Sequence, residues 1–211
     1  MIDAADVAAA GAALARGGLA LLPTDTVYGL AASLDTPDGV SALYAAKGRP
    51  RSRPFQVLLY APEGLEEALA PLPAPMAAAA RALLPGPATC LLADPAGRYA
   101  AAAGEAPGSA GIRAPRVQGV LAPLAALDIP LVATSANEPG GRDPAALADV
   151  DAPIRRAVDV ELDAGTLPGT ASAVVDLRGL GEGAAAVLVR PGPDPAAVER
   201  ALAALGVALR R

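Results

Sequence analysis

Hydrophobic and polar positions repeat with two different periods along the chain, and the switches between those periods mark its elements. Asp3 reads as an N-cap, and Val7, Leu14 and the alanines between them make a short helix that stops at Gly17-Gly18. Leu19-Ala20-Leu21-Leu22 is a buried type of strand ended by Pro23, and the polar loop Thr24-Asp25-Thr26 leads into Val27-Tyr28-Gly29-Leu30. Thr36, with Pro37 at the first helical position, predicts a second helix carrying Val40, Leu43 and Tyr44 on one face and closing at Lys47-Gly48-Arg49-Pro50. Further strands are expected at 55–60, 89–93, 110–113, 130–134, 158–162, 173–177 and 186–190. Helices are expected at 63–69, at 74–84 (halted by Pro85-Gly86-Pro87), at 117–126, broken over 147–157, and from an Asp194 cap to Leu205.

Several of these strands follow one another without a helix long enough for a crossover. The expectation is therefore an α/β fold, a twisted mixed sheet of parallel and antiparallel strands with flanking helices, in one domain spanning residues 1–211.

Composition then removes whole classes of chemistry. The chain has no histidine, which excludes a Ser-His-Asp triad, a Cys-His pair and any His-ligated metal. Its single cysteine, Cys90, excludes an internal disulfide and sits in the apolar run Ala88-Thr89-Cys90-Leu91-Leu92, where it reads as a small core residue. Net charge is −5, so a bulk basic coat for nucleic acid is ruled out. The first residues carry acids where a secretory signal needs positive charge. No proline-free run of 18 uncharged apolar residues exists either, so a cytoplasmic protein with no membrane span is expected.

Against that acidic background the placement of cations is informative. Sixteen of the seventeen basic residues are arginine, and Lys47 is the sole lysine. A lysine retained in such a composition points to a need for a compact ammonium with three swivelling donors. Lys47, Arg49, Arg51 and Arg53 fall on alternate residues, with no acid between Asp38 and Glu63. Helix-dipole complementarity accounts for one or two cations at a helix C-terminus but not for four, so this ridge calls for an anionic ligand, polyphosphate above all.

Two loops and one buried-looking charge add to this. Thr134-Ser135-Ala136-Asn137 follows an apolar strand and should emerge where α/β ligands bind, although Ser135 and Asn137 would serve equally as turn formers. The segment 165–172 is either an anion-cradling loop or a plain hairpin turn. Arg113, at the end of an apolar strand, must find a carboxylate, internal or bound. No Walker-type loop is present.

Taken in order, Pro23-Thr24-Asp25-Thr26-Val27-Tyr28-Gly29-Leu30, Lys47-Gly48-Arg49-Pro50, Leu84-Pro85-Gly86-Pro87-Ala88-Thr89, Ile112-Arg113-Ala114-Pro115, Ser135-Ala136-Asn137, Gly169-Thr170-Ala171-Ser172 and Arg190-Pro191-Gly192 resemble the YrdC-like family of threonylcarbamoyl-AMP synthases. The resemblance covers about residues 4–205. It departs from the family pattern at Leu84 (usually aromatic), at Ala173 (usually Thr) and at Glu138-Pro139-Gly140 after the Ser-Asn motif.

The resemblance implies a fold with a deep, positively charged groove, and the condensation of L-threonine, bicarbonate and ATP, with Mg2+, to threonylcarbamoyl-AMP and pyrophosphate. It implies a downstream transferase complex that modifies tRNA, with weak tRNA binding by this chain as a further expectation. It places Lys47, Arg49, Ser135 and Asn137 in the catalytic signature that holds the ATP phosphates and the reacting carboxylate. Thr24, Arg113 and Ser172 fall on the threonine side, with Arg113 on its carboxylate, and Thr89, Asp143 and Arg190 beside the nucleotide. No protein-held metal site is expected. The alternatives are a module that grips double-stranded RNA through the 47–53 ridge, disfavoured by the 2% aromatic content, and a related carbamoyl or adenylyl transferase with another acceptor.

Overall fold

In the computed structural model, which describes residues 1–211, helix α1 (Ala4–Ala15) opens on a reciprocal cap. The Asp3 carboxylate accepts from the amides of Ala5 and Asp6, and Asp6 accepts from the Asp3 amide. Strands β1 (Ala20–Pro23) and β2 (Tyr28–Ser33) follow as an antiparallel pair, then α2 (Pro37–Lys47) and β3 (Gln56–Leu58). Helices α3 (Pro62–Leu69) and α4 (Ala74–Leu83) lead to β4 (Ala88–Ala93), β5 (Ser109–Arg113) and β6 (Leu131–Ser135). The remainder comprises α5 (Ala152–Arg156), β7 (Val160–Glu161), β8 (Ala173–Asp176), β9 (Ala186–Arg190), α6 (Pro195–Ala203) and β10 (Leu209–Arg210).

All ten strands join one sheet in the order β10-β9-β8-β4-β5-β3-β6-β2-β1-β7. Parallel pairs (β1–β7, β3–β5, β4–β8, β9–β10) are interspersed with antiparallel ones, as the scarcity of long crossovers predicts.

The two faces of the sheet have different fates. On one face Val57, Cys90, Ile112 and Val132 pack with Leu43 of α2 and Met76 and Ala80 of α4 in the main core. Each of the Val, Ile, Leu and Met side chains, moved fully out of water, contributes roughly 1.5–3 kcal/mol. The other face is covered at the β1–β2–β6 side and the end of β3, where Val7 and Leu14 of α1 meet Leu22, Ala31, Leu58, Leu131 and Leu124. Beyond it, over Gln56 of β3 and over β5, β4 and β8, a concavity remains.

Four local expectations need correction. The segment 117–126 is a 3-10 helix over Gly119–Ala126 rather than an α-helix, because Pro123 has no amide to continue an i→i−4 ladder. The strand expected at 55–60 narrows to β3: the Phe55 amide bonds to Ala102 outside the sheet, and the Leu59 amide makes the last bond to β5, at Arg113, where β5 ends. Thr36 occupies the cap position of α2, yet its hydroxyl donates to the Ser33 carbonyl instead of capping. Residues 165–172 are no hairpin, because β7 and β8, which they connect, stand near opposite edges of the sheet. Cys90 is wholly buried, and burial pushes its thiol up to about 12, as expected of a core residue.

Candidate active site

Helix α2 ends on Gly48 in the left-handed region (φ 56°), and the amide of Arg49 closes the turn on the Tyr44 carbonyl. A side chain would oppose that φ, so glycine here lets the chain reverse just after Lys47. Lys47 is 6% exposed and reaches β6 and the loop beyond it. Its Nζ donates to the Ser135 carbonyl at 2.7 Å, to Asn137 Oδ1 at 2.7 Å and to the Asn137 carbonyl. Ser135 Oγ donates to the same Oδ1 at 2.7 Å, while Asn137 Nδ2 donates to the Gly141 carbonyl at 2.8 Å and to Asp143 at 3.4 Å. Asn137 therefore acts as the turn former that the sequence allowed, tying its own loop to Gly141, and it also receives the lysine. Burial, and then the neighbouring Arg49, lower the Lys47 pKa to about 8, against the opposing pull of Asp143 and Asp151.

The four cations of the expected ridge do not form one surface. Arg49 stacks over Phe55 with its Cζ 4.9 Å from the ring centroid, whereas Arg51 turns back over Tyr44 and donates to Ser41 Oγ. Lys47 is inside, and Arg53 is exposed. None of the four has a carboxylate within 4 Å.

Two adjoining chambers open here. A polar one of about 410 Å³ is lined by Lys47, Arg49, Arg53, Ser135 and Asn137 among others. A second, of about 360 Å³, lies on the uncovered face of the sheet. Both volumes fall in the range of small-molecule sites. Arg49, Thr134 and Ser135 line both, so the two share a wall. The register explains the floor of the second chamber. Gln56 pairs with Gly111 and Ala133, Thr89 with Arg113 and Val174, and Val174 with Arg190, so alternate residues of neighbouring strands share that face.

A polar seam runs across it. Thr89 Oγ1 lies 3.1 Å from Gln56 Oε1 and 3.0 Å from Ser172 Oγ, and Arg190 donates to the Ser172 carbonyl at 2.8 Å and to its hydroxyl at 3.3 Å. At the opposite wall, Thr24 Oγ1 donates to the Val27 carbonyl at 2.8 Å and accepts from the amides of Thr26 and Val27, which sets the 24–27 turn.

Arg113 is only 1% exposed. Its Nη2 pairs with Asp25, and its Nη1 donates to the carbonyls of Gly86, Ala88 and Ala114. Asp25 in turn accepts from the Arg116 amide at 3.0 Å. The carboxylate that a charge at this position requires is thus present inside the protein, and Arg113 still lines the second chamber.

The structure brings Thr24, Arg113, Ser172, Thr89, Arg190, Arg49 and Ser135 to that chamber, and Lys47 and Asn137 to the polar one. Asp143 lines neither and touches the site through Asn137. Gln56, Thr26 and Asp25 were not singled out from the sequence. Asp25 stood within the Pro23–Leu30 motif, and Gln56 was signalled only by alternation with Leu58 along its strand.

The sequence profile of the Sua5_yciO_yrdC family, described as "Telomere recombination", matches residues 12–192. The chain belongs to the Sua5/YciO/YrdC family. A Mycobacterium tuberculosis protein that carries threonylcarbamoyl-AMP synthase as its provisional name is 34% identical over 196 residues, 92% of this chain and 87% of that protein. The Pyrococcus abyssi threonylcarbamoyl-AMP synthase is 29% identical over 85% of this chain and 52% of its own length. Among solved structures, a P. abyssi Sua5 variant superposes with a TM-score of 0.82 at 26% identity, covering 99% of this chain and 63% of that one. P. abyssi Sua5 complexed with L-threonine gives 0.78 at 26% identity over 100% and 60%. Escherichia coli YciO, 18% identical with a TM-score of 0.74, shares the fold over 92% of each chain. This Sua5/YciO/YrdC chain therefore spans less than two thirds of the Sua5 structures it matches. The mixed sheet with flanking helices is the fold of these relatives. No helix is long and apolar enough to cross a membrane.

Proposed function

We propose that the protein is a threonylcarbamoyl-AMP synthase, condensing L-threonine, bicarbonate and ATP to threonylcarbamoyl-AMP and pyrophosphate. The observation that carries this reading is the adjacency of the two chambers: cations without carboxylates, Lys47 and Arg49, adjoin a hydroxyl-lined cavity through Arg49 and Ser135. The family membership and the threonine complex of the P. abyssi relative support it further.

In this reading the threonine amine condenses with bicarbonate to a carbamate, releasing water. A carbamate oxygen then attacks the α-phosphorus of ATP, the bond from that phosphorus to the bridging oxygen breaks, and pyrophosphate departs with the electron pair. Such a transfer depends on positioning and on charge stabilisation, which suits a chain without histidine. Lys47 and Arg49 hold the phosphates, and Ser135 and Asn137 orient the lysine. Thr24, Ser172 and Arg113 face the threonine, and Thr89 and Arg190 the nucleotide, with Asp143 acting through Asn137. Mg2+, as the counter-ion that accompanies ATP, would supply charge neutralisation of the phosphates beside Lys47 and Arg49. No cluster of three or more Asp, Glu or Cys side chains is placed to hold a cation on the protein. The product would pass to a separate complex that modifies tRNA adenosine.

The rival RNA-binding module loses ground in two ways. The four tyrosines and Phe55 are all buried, leaving no stacking platform, and Lys47 is not on the surface. The direct test of the proposal is pyrophosphate release from ATP, which must require both threonine and bicarbonate. Release supported equally by other amines would shift the reading to a different acceptor.

A pH prediction follows from Lys47. Its charged form is present below about 8 and lost above it. At saturating threonine and bicarbonate, kcat/KM for ATP should therefore be flat on the acid side and fall above pH 8, approaching tenfold per unit. A profile that keeps rising to pH 9.5 would remove the ammonium from nucleotide capture.

A further inference from the structure

We infer that Tyr28 is a positioning residue of the site: its hydroxyl fastens the strap 163–172, which sets Ser172 in the wall of the second chamber. The inference rests on the proposed function for the identity of the substrate that this wall faces, threonine. The anchoring itself is independent of that reading.

Tyr28 opens β2 just after the 24–27 turn, and its polar groups go to three different segments of the chain. Its ring is fully buried in the main core. Its amide donates to the Pro144 carbonyl at 3.0 Å, and its carbonyl accepts from the Ala136 amide at 3.0 Å. Those two bonds tie β2 to the segments that carry Asp143 and Asn137. The hydroxyl reaches the third segment. It lies 2.8 Å from the Gly165 carbonyl oxygen and 3.1 Å from Asp163 Oδ1, sharing its proton between them, and it accepts from the Ala164 amide at 3.0 Å. Burial pushes this hydroxyl up to about 12, so it stays protonated and donating at neutral pH.

The strap needs such a fastening. Between β7 and β8 it forms neither helix nor ladder, and it turns through the left-handed region at Gly165 (φ 74°) and Gly169 (φ 77°). Glycine permits those turns but leaves the chain a wide conformational freedom that other contacts must remove. The Leu167 amide donates to the Ala145 carbonyl at 2.8 Å, and the Gly169 amide donates to the Thr26 carbonyl at 2.9 Å. Tyr28 supplies the one side chain from outside the strap that hydrogen-bonds to residues 163–169. Past Gly169, Ala171 and Ser172 line the second chamber. The bond to Thr26 joins the strap to the turn that carries Thr24, so the two form one wall. Ser172 Oγ is met from the other side by Thr89 and Arg190, and its position is therefore a balance between that seam and the strap. Without the Tyr28 hydroxyl the strap loses its first tie, and the balance at Ser172 shifts.

The test combines steady-state kinetics with hydrogen exchange of the substrate-free protein. Tyr28→Phe keeps the ring in the core and removes only the hydroxyl. It should raise the KM for threonine about threefold to tenfold, the range for one lost hydrogen bond, and leave the KM for ATP unmoved. Exchange of the amides at 164–169 should quicken in the same variant. In a Ser172→Ala background the change should add less than about twofold to the threonine KM, because both substitutions act through one side chain. Tyr99→Phe, which removes a buried hydroxyl that has no hydrogen-bond partner, should behave as wild type. An unmoved threonine KM, equal rises for threonine and ATP, full additivity with Ser172→Ala, or the same loss in Tyr99→Phe would each overturn the inference. A wild type that releases no pyrophosphate with threonine and bicarbonate would instead strike the proposed function. Exchange at 164–169 then decides the anchor: faster exchange in Tyr28→Phe upholds it, and equal rates overturn it.

Discussion

Lys47→Ala should reduce threonine-dependent pyrophosphate release by about 10³-fold, roughly 4 kcal/mol of lost transition-state stabilisation. The size follows from where the ammonium sits. It is buried, surrounded by the carbonyls of Ser135 and Asn137 and by the Asn137 side chain, and it opens into a chamber whose other cations it cannot delegate to. Three convergent acceptors suit the tetrahedral donors of a compact ammonium and not the flat fork of a guanidinium, so Lys47→Arg should recover little of the activity. The comparison is made by single-turnover pyrophosphate release on variants with intact circular dichroism. Wild-type turnover in Lys47→Arg would mean that any cation at this position suffices.

Asp25→Ala should be the most destabilising substitution around the cavity, behind the wall that Arg113 forms. It leaves the guanidinium of Arg113, 1% exposed, without its counter-charge. Removing one partner of a buried ion pair costs about 3–5 kcal/mol, which for a chain of this size lowers Tm by roughly 6–20 °C. Arg113→Met in the same background should restore much of the loss, because the second change removes the stranded charge. Thermal unfolding of the two single variants and the double variant closes the cycle. Additive losses would show that the two side chains do not depend on each other. The same pair bears on substrate recognition: Arg113 meets the cavity already neutralised by Asp25, so an incoming carboxylate would add to an existing ion pair.

How far the sequence reached differs between fold and site. Strand β9, both ends of α2 and the start of α6 were legible because an apolar run or a punctuating residue marks each. Ala186–Val189 is a short apolar run, Pro37 opens a helix and Gly48 closes it. Asp194 caps the last helix, which ends at Ala203, two residues before the expected Leu205. The 119–126 segment was misread because its apolar residues repeat as in an α-helix, and the interior proline breaks the hydrogen bonding rather than the pattern. The hairpin alternative for 165–172 failed because local glycines cannot report that the two flanking strands belong to distant parts of one sheet.

At the site, Lys47 stood out as the only lysine and Arg113 as a charge on an apolar strand, and both lie at the cavities. What composition could not convey was pairing. The even spacing of Lys47, Arg49, Arg51 and Arg53 suggested one ridge, but the helix end and the left-handed turn at Gly48 send them in different directions. The counter-ion of Arg113 comes from 88 residues earlier, a distance no local pattern encodes.

The central claim is that these two chambers form one site that joins a carbamate of threonine to the α-phosphate of ATP. Mass spectrometry of the reaction with ATP, bicarbonate and isotopically labelled threonine addresses it most directly. The account predicts a labelled threonylcarbamoyl-adenylate appearing in equal amount with pyrophosphate. AMP or ADP accumulating with the label still in free threonine would contradict it.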